Sequence, residues 1–452
     1  MSTRSLVLGS PRELGTVGLV SGLCGAYAAV LIMTSVMLAA TAQEPGDAMA
    51  ALLGVVATVF IGIAVYVATI VIVNAVDTVL AGRLPQIALL RLLGARGRSL
   101  RSAVVRGATL TGLVGSVVGI VVGTVTADVF RVVLVARHTM PDLDYPVAST
   151  LLVLPVLTMV PACAFAGWVG SRRILRVSPA AALSDSAVAV PLTRRTSVLR
   201  VVLSVLMIGG GALLMVLAMV LGEGGTVAGF LVAFAGSVTA GTGLLVGARF
   251  VIPSLVAGVS RLLGTGPVAR VAGRNAVLDP LRTTRSTMGL VVGVTLVTTF
   301  ASGLRALQLS VDSWEGLSAE QQVQSHQVLS TTTAIMVAIV VISSVISAVG
   351  FVSTMSLTVI QRRREIGLLR TLGLTRRQVR RMITLEAAAL SGTAVAFGMA
   401  LGLVFGSVGA QSLIGSQTDG FMWGLPWGTL AVIAVAGVLL VLASARPPAR
   451  RA

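Results

Sequence analysis

The chain contains no lysine; all 34 of its basic residues are arginine. A Walker A loop needs a lysine to reach the β- and γ-phosphates, and a protein kinase needs one on its third strand. This polypeptide therefore cannot hold ATP in either way, and any nucleotide chemistry must come from another subunit. Histidine and cysteine number two each. His138 and His326 fall in different inter-span segments without convergent partners, and Cys24 and Cys163 lie inside apolar runs, so neither a metal site nor a disulfide is indicated. Aromatic residues make up 4 % of the chain, too few for a base-stacking platform on nucleic acid. No acidic residue sits at the middle of an apolar run, which argues against a proton relay of the secondary-transporter type. There is no G-x-S-x-G nucleophile elbow.

Apolar runs dominate what is there. The chain is 55 % hydrophobic and 11 % charged, with a mean hydropathy of +0.97. A soluble protein of 452 residues needs far more polar surface. Runs of about 20 apolar residues predict ten membrane spans. These are Thr16 to Ala42, Ala51 to Val73, Ala108 to Val129, Ser149 to Gly170 and Val198 to Leu221. The remainder are Thr226 to Gly247, Ser286 to Leu304, Thr331 to Val352, Ala387 to Ser407 and Leu425 to Ala443. The net charge of +18 then reflects basic segments retained on one side. With the N-terminus inside, the inner segments hold every arginine except Arg131, Arg137 and Arg305. The outer side collects acids such as Glu44, Asp47, Asp142, Asp144, Glu223 and Glu315. Both termini are therefore expected in the cytoplasm. The first run is longer than the apolar core of a signal peptide and is expected to be retained as a span. Asp128 and Arg131, three residues apart, are expected to pair. Asn74, Asp77 and Glu386, near inner boundaries, are expected to reach water or headgroups.

The most informative stretch lies between the eighth and ninth spans. Arg362 to Gly373 reads RRREIGLLRTLG and continues as LTRRQVRRM. Arg362, Arg363, Arg364, Arg370, Arg376, Arg377, Arg380 and Arg381 stand against one carboxylate, Glu365, and Ile366, Leu368, Leu369 and Leu372 supply an apolar side. A weaker copy, RLPQIALLRLLG from Arg83 to Gly94, precedes it by 279 residues, the step from Gly94 to Gly373. The match is gapless and continues through Arg98 with Arg377 and Arg101 with Arg380. Such a repeat predicts two equivalent halves. The first four-helix repeat covers 1–183, a linking pair of helices 184–273, and the second repeat 274–452. Binding of anionic headgroups explains the arginines; it does not demand a recurring apolar register, whereas docking into a groove on a partner does.

Gly115, Gly119 and Gly123 in the third span, and Gly398, Gly402 and Gly406 in the ninth, form GxxxGxxxG stripes expected to pack helices closely. The outer segments are short, with Gln43 to Ala50 between the first two spans. In the longer stretch from Arg305 to Ser330, Leu307, Val311 and Trp314 share one helical face and predict a short interfacial helix. No large extracytoplasmic domain is expected.

REIGLLRTLGLTRRQV, Arg364 to Val379, resembles the signature of the FtsX-like permease domain, shared by permeases of the MacB, lipoprotein-release and bacitracin-resistance types. RRILRVSPAAAL, Arg172 to Leu183, resembles the habitual end of that family's four-span unit, and RNAVLDPLRTTRSTMGL, Arg274 to Leu290, the usual lead-in to a second. The resemblance implies an all-α polytopic membrane protein serving as the permease of a bacterial ABC transporter. The segment between a unit's second and third spans would be its coupling helix on a cytoplasmic ATPase. Glu365, Gly367, Leu368, Leu369, Arg370 and Gly373, with Ile87, Leu89, Leu90, Arg91 and Gly94 in the first half, are then the expected coupling residues. Gln86 stands where Glu365 does and Ala88 where Gly367 does, so the halves are expected to couple unequally. No cofactor is expected in this chain: ATP and magnesium would be held by the ATPase, two copies per permease. The expected cargo is a hydrophobic or amphiphilic compound (antibiotic, peptide or lipid), exported across or extracted from the inner membrane. The rival reading is a transmembrane transmitter that regulates an outer partner without translocating anything.

Overall fold

The computed structural model describes residues 15–41, scattered positions between 55 and 80, then 84–136, 150–172, 198–262, 280–312, 371, 375–417 and 420–445. Those residues form helices α1 (Gly15–Thr41), α2 (Leu84–Leu92), α3 (Gly97–Ala136), α4 (Val153–Gly170), α5 (Val198–Glu223) and α6 (Ala228–Leu262). They continue with α7 (Pro280–Asp312), α8 (Arg376–Ile414) and α9 (Trp427–Ala445), and no strand occurs among them. The predicted eighth span and both histidines lie outside the described residues.

Six described helices are long and apolar enough to cross a membrane: Gly97–Val133, Thr150–Gly170, Val198–Glu223, Ala228–Ser260, Thr287–Ser310 and Thr384–Ile414. Shorter apolar helices cover Val17–Val30, Ile61–Ile70 and Trp427–Leu439. Each falls on a predicted span. Apolar side chains point outward along them. Val114, Val117, Val118, Val121 and Val125 of α3, and Leu199, Leu206 and Leu213 of α5, are exposed. In water this would be an apolar patch far larger than soluble monomers carry; against acyl chains it is ordinary surface. The protein is an integral membrane protein.

The helices overrun the predicted spans. At about 1.5 Å per residue α3 is about 60 Å long, roughly twice the thickness of a hydrocarbon core. Hydropathy marks only the part of a helix that meets lipid, and Arg98, Arg101 and Arg106 ride on the same continuous helix as the span. Likewise Arg376, Arg377, Arg380 and Arg381 form the first turns of α8, not a separate amphipathic segment. The stretch from Arg305, expected to start an interfacial helix, continues α7 as far as Asp312; no glycine or proline intervenes there to stop it.

The chain divides into two compact units, Met1–Arg194 and Arg195–Ala452. In the first, α1 and α3 pack backbone to backbone. A Cβ added at Gly119 would collide with the Gly22 carbonyl, and one at Gly115 with the Gly18 carbonyl and Ser21. Gly123 faces Ala26 and Ala29 in the same way. Further along, Gly112 abuts Cys163, and a Cβ added at Gly167 would lie 3.0 Å from the Ala108 Cβ, which seats α4 on α3. In the second unit α8 is central. Gly398 lies 3.0 Å from the Val291 carbonyl, measured from an added Cβ, and Gly402 and Gly406 press on Thr298 and on the Thr299 carbonyl of α7. Ala248, Ile252, Val256, Met288, Ala389 and Leu390 join α6, α7 and α8 in one apolar cluster, and Gly222 of α5 abuts Gln411 and Ser412 of α8. The middle pair, α5 and α6, thus shares its core with the second repeat.

Polar groups in this unit are buried in register. Ser302 and Ser407 hydroxyls lie 3.1 Å apart, and the Gly424 amide donates to Ser407 at 3.2 Å. Gln411 donates to the Gly420 carbonyl at 3.2 Å, tying the α8–α9 loop down. In the first unit, Asp128 and Arg131 form the expected ion pair at 2.8 Å. Glu386, expected to reach water, is instead buried, because it shares the inward face of α8 with Met382 and Leu390. Asn74 and Asp77 lie outside the described residues.

The glycine seam makes a sign-reversing test. Gly119→Ala should lower the melting temperature in detergent, since its methyl forces α1 and α3 apart at a cost of about 1–3 kcal/mol. Gly209→Ala, at a site with nothing within 4 Å, should be neutral or stabilise by up to about 1 kcal/mol through helix propensity. Equal effects of the two substitutions would contradict the packing described.

Candidate functional site

The corner between α2 and α3 is built by one glycine. Leu90, Arg91 and Leu92 are the last helical residues of α2, and Gly94 has φ +95°, a conformation that side chains with a Cβ rarely adopt. The Ala95 amide donates to the Leu90 carbonyl at 3.0 Å and the Gly94 amide to the Arg91 carbonyl at 3.1 Å. This is a Schellman termination, which satisfies two carbonyls that the helix end leaves open. The chain then turns at once into α3, where the amides of Ser99 and Leu100 donate to the Arg96 carbonyl at 3.0 and 3.2 Å. Only four residues, 93–96, separate the two helices.

This geometry sorts the residues expected to couple. Ile87 is 1 % exposed and anchors α2 inward, with Ala88 beside it. Leu89 is 55 % exposed, Leu90 and Arg91 are half-buried, and Gly94 is the corner itself. Two residues not singled out as coupling residues complete the outward face: Leu92 at 45 % and Leu93 at 77 % exposure. Leu89, Leu92 and Leu93 stand three and four residues apart and so share a helix face. The signal for Leu93 was present in sequence, since the residue before a terminating glycine ends the helix. An inward Ile87 and an outward leucine group make α2 a short wedge, buried on one face and presenting an apolar knob on the other.

In the second unit Glu365, Gly367, Leu368, Leu369, Arg370 and Gly373 lie outside the described residues. Thr371 is helical and exposed. From Thr375 onward the second unit can be compared with the first. The 279-residue shift carries Gly97 to Arg376, so α3 and α8 start at equivalent positions. The caps differ. Thr375 accepts from the Gln378 amide at 3.3 Å, and the Gln378 side chain accepts from the Thr375 amide at 2.9 Å, a reciprocal capping box. Arg96, the equivalent residue, has no side-chain acceptor to offer.

Among the described residues no group of three or more His, Cys, Asp or Glu could hold a metal ion. Cys24 and Cys163 are both buried and not disulfide-bonded.

Replacing Gly94 tests the corner. Open space surrounds its Cβ position, so Gly94→Ala should cost backbone strain alone, about 1–2 kcal/mol. Amide exchange at Ala95 should then accelerate by roughly 5–30-fold, while amides in the middle of α3 stay unchanged. Unaltered exchange at residue 95 would show that the corner does not depend on a left-handed residue.

The model of the FtsX-like permease C-terminal family matches residues 58–179 and again 337–452, together more than half of the chain. The two matches start 279 residues apart, 337 less 58, the same step as the internal repeat. Each covers one copy of the basic motif and the long helix after it. No curated protein matches the chain.

Proposed function

The chain belongs to the FtsX-like permease family, and from that premise we propose that α2 and its counterpart near Gly373 are the surfaces through which a cytoplasmic ATPase drives two four-helix units. Members of this family are membrane permease subunits of ABC-type transporters or related complexes and generally work with such an ATPase. The observation that carries the proposal is the wedge. Leu89, Leu92 and Leu93 are exposed beyond the apolar stretch of α3, and Gly94 fixes their orientation to that helix.

In this reading the ATPase pair, holding ATP and magnesium, closes on the two wedges. Its unequal affinity for two permease states supplies the switch. Ile87 transfers each displacement into the first unit, and the four-residue corner passes it to α3 with little slack. The permease supplies no catalytic group. Ten spans with both termini in the cytoplasm, a linking pair over 184–273, residence in the inner membrane and a hydrophobic or amphiphilic cargo complete the proposal. The lipid-facing valines of α3 support a route for such a cargo from the bilayer, since they present a continuous apolar surface.

The test uses the permease reconstituted with its ATPase. Leu93→Asp should abolish permease-dependent ATPase stimulation, because a desolvated carboxylate in an apolar groove costs several kcal/mol. Leu369→Asp should do the same in the second unit. The native complex should weigh one permease plus two ATPases. Full stimulation by both variants, or a one-to-one complex, would overturn the proposal. Stimulation that never responds to a hydrophobic cargo would favour the transmitter reading instead.

A further inference from the structure

Two guanidinium groups converge on one indole at the end of the first unit that carries α2. The Arg101 guanidinium carbon lies 4.5 Å from the centre of the Trp168 ring, and that of Arg172 lies 4.7 Å from it. Arg101 also donates through Nη2 to the Trp168 carbonyl at 2.7 Å. That bond serves the C-terminus of α4, where carbonyls lack partners and a cation is favoured. It leaves the Arg101 Nε buried with no hydrogen-bond partner. Arg172 is exposed and does no such capping.

Two guanidinium groups sharing one ring make a locally positive site that favours an anion. Among the described residues of this unit the one carboxylate is Asp128, and it pairs with Arg131 near the other end of α3. The surroundings say what kind of anion suits the pair. Trp168 is 45 % exposed, and Phe165, stacked on it at 6.3 Å, is 56 % exposed. Leu157, farther down α4, is 65 % exposed. α4 thus presents an aliphatic and aromatic strip and then an indole, beyond which Arg172, just past its end, and Arg101 of α3 set two guanidinium groups. That sequence matches a phospholipid read from acyl chain through interface to phosphate.

We infer that Arg101, Trp168 and Arg172 form a binding site for the phosphate headgroup of an anionic phospholipid. The indole face positions both cations, each guanidinium can donate to a phosphate oxygen, and the strip below holds the acyl chain. The site belongs to the first unit alone. The 279-residue shift carries Arg101 to Arg380 but Trp168 to Pro447, so the second unit cannot repeat it. The assignment does not depend on the ATPase proposal, and either can fail without the other.

The experiment uses the full-length protein carrying Trp314→Phe, Trp423→Phe and Trp427→Phe, so that Trp168 alone emits. It is reconstituted in phosphatidylcholine vesicles containing increasing brominated phosphatidylglycerol or, in the other arm, brominated phosphatidylcholine. The expected result is stronger quenching of Trp168 by the anionic lipid at equal mole fraction. Arg172→Gln should lower the apparent affinity for it by about fivefold, the worth of one arginine near an anionic surface, and Arg172→Lys should restore much of that loss. Arg172 is exposed at a helix end, so these variants should fold, which circular dichroism checks. Equal quenching by both lipids would overturn the assignment, as would unchanged preference in Arg172→Gln. Inorganic phosphate should not relieve the quenching when compared with chloride at matched ionic strength; relief would make the ligand a soluble anion and overturn the lipid assignment.

Discussion

The close approach of two helix backbones is the constraint on which the rest of each unit depends. Lipid tails are as apolar as leucine, so helices gain little by hiding side chains from them. Much of the attraction comes from dispersion, of which a gap of about 0.5–1 Å forfeits a quarter to a half, and which therefore demands contact. Gly119 against the Gly22 carbonyl in the first unit, and Gly398 against the Val291 carbonyl in the second, are that contact. Everything that moves with α3 or α8 moves against a partner held at this distance.

The two seams are the same contact in different chemistry. A shift of 269 residues carries Gly22 to Val291 and Ala26 to Thr295, whereas 279 carries Gly119 to Gly398 and Gly123 to Gly402. The second unit therefore holds ten more residues between its first helix and its basic segment. Where the first unit lines its seam with Gly18, Gly22, Ala26 and Ala29, the second places Thr287, Thr295, Thr298 and Ser302. Hydroxyls such as the Ser302–Ser407 pair add directional bonds to a dispersion contact. The unequal halves seen in the basic motifs extend into the membrane.

Much of this was legible in the sequence. Hydropathy found the described spans because each has to be apolar over a bilayer's thickness. The repeat register found equivalent starts for α3 and α8 because the gapless match carries Gly97 to Arg376. What stayed hidden was relational. A hydropathy window stops where lipid stops, so it cut α3 at Ala108 although the helix begins at Gly97. Glu386 reads as a boundary residue until the faces of α8 are known. The outward leucines at 89, 92 and 93 separate from the inward Ile87 only when the helix has a core side. The 269-residue step leaves no motif in the first helices, since Gly22 and Val291 share only a backbone carbonyl.

The length of α3 sets a mechanical ratio. From Gly97, beside the corner, to Gly119, on the seam, the helix rises about 33 Å at 1.5 Å per residue. If the seam acts as fulcrum, a displacement of about 1–2 Å at Gly97, the usual size of a helix shift, corresponds to a tilt of only about 3° over that arm. Beyond the fulcrum the arm to Ala136 is shorter, so the far end swings less and in the opposite direction, with the force multiplied accordingly. A long, stiff rod with an off-centre pivot trades travel at the basic end for force at the other.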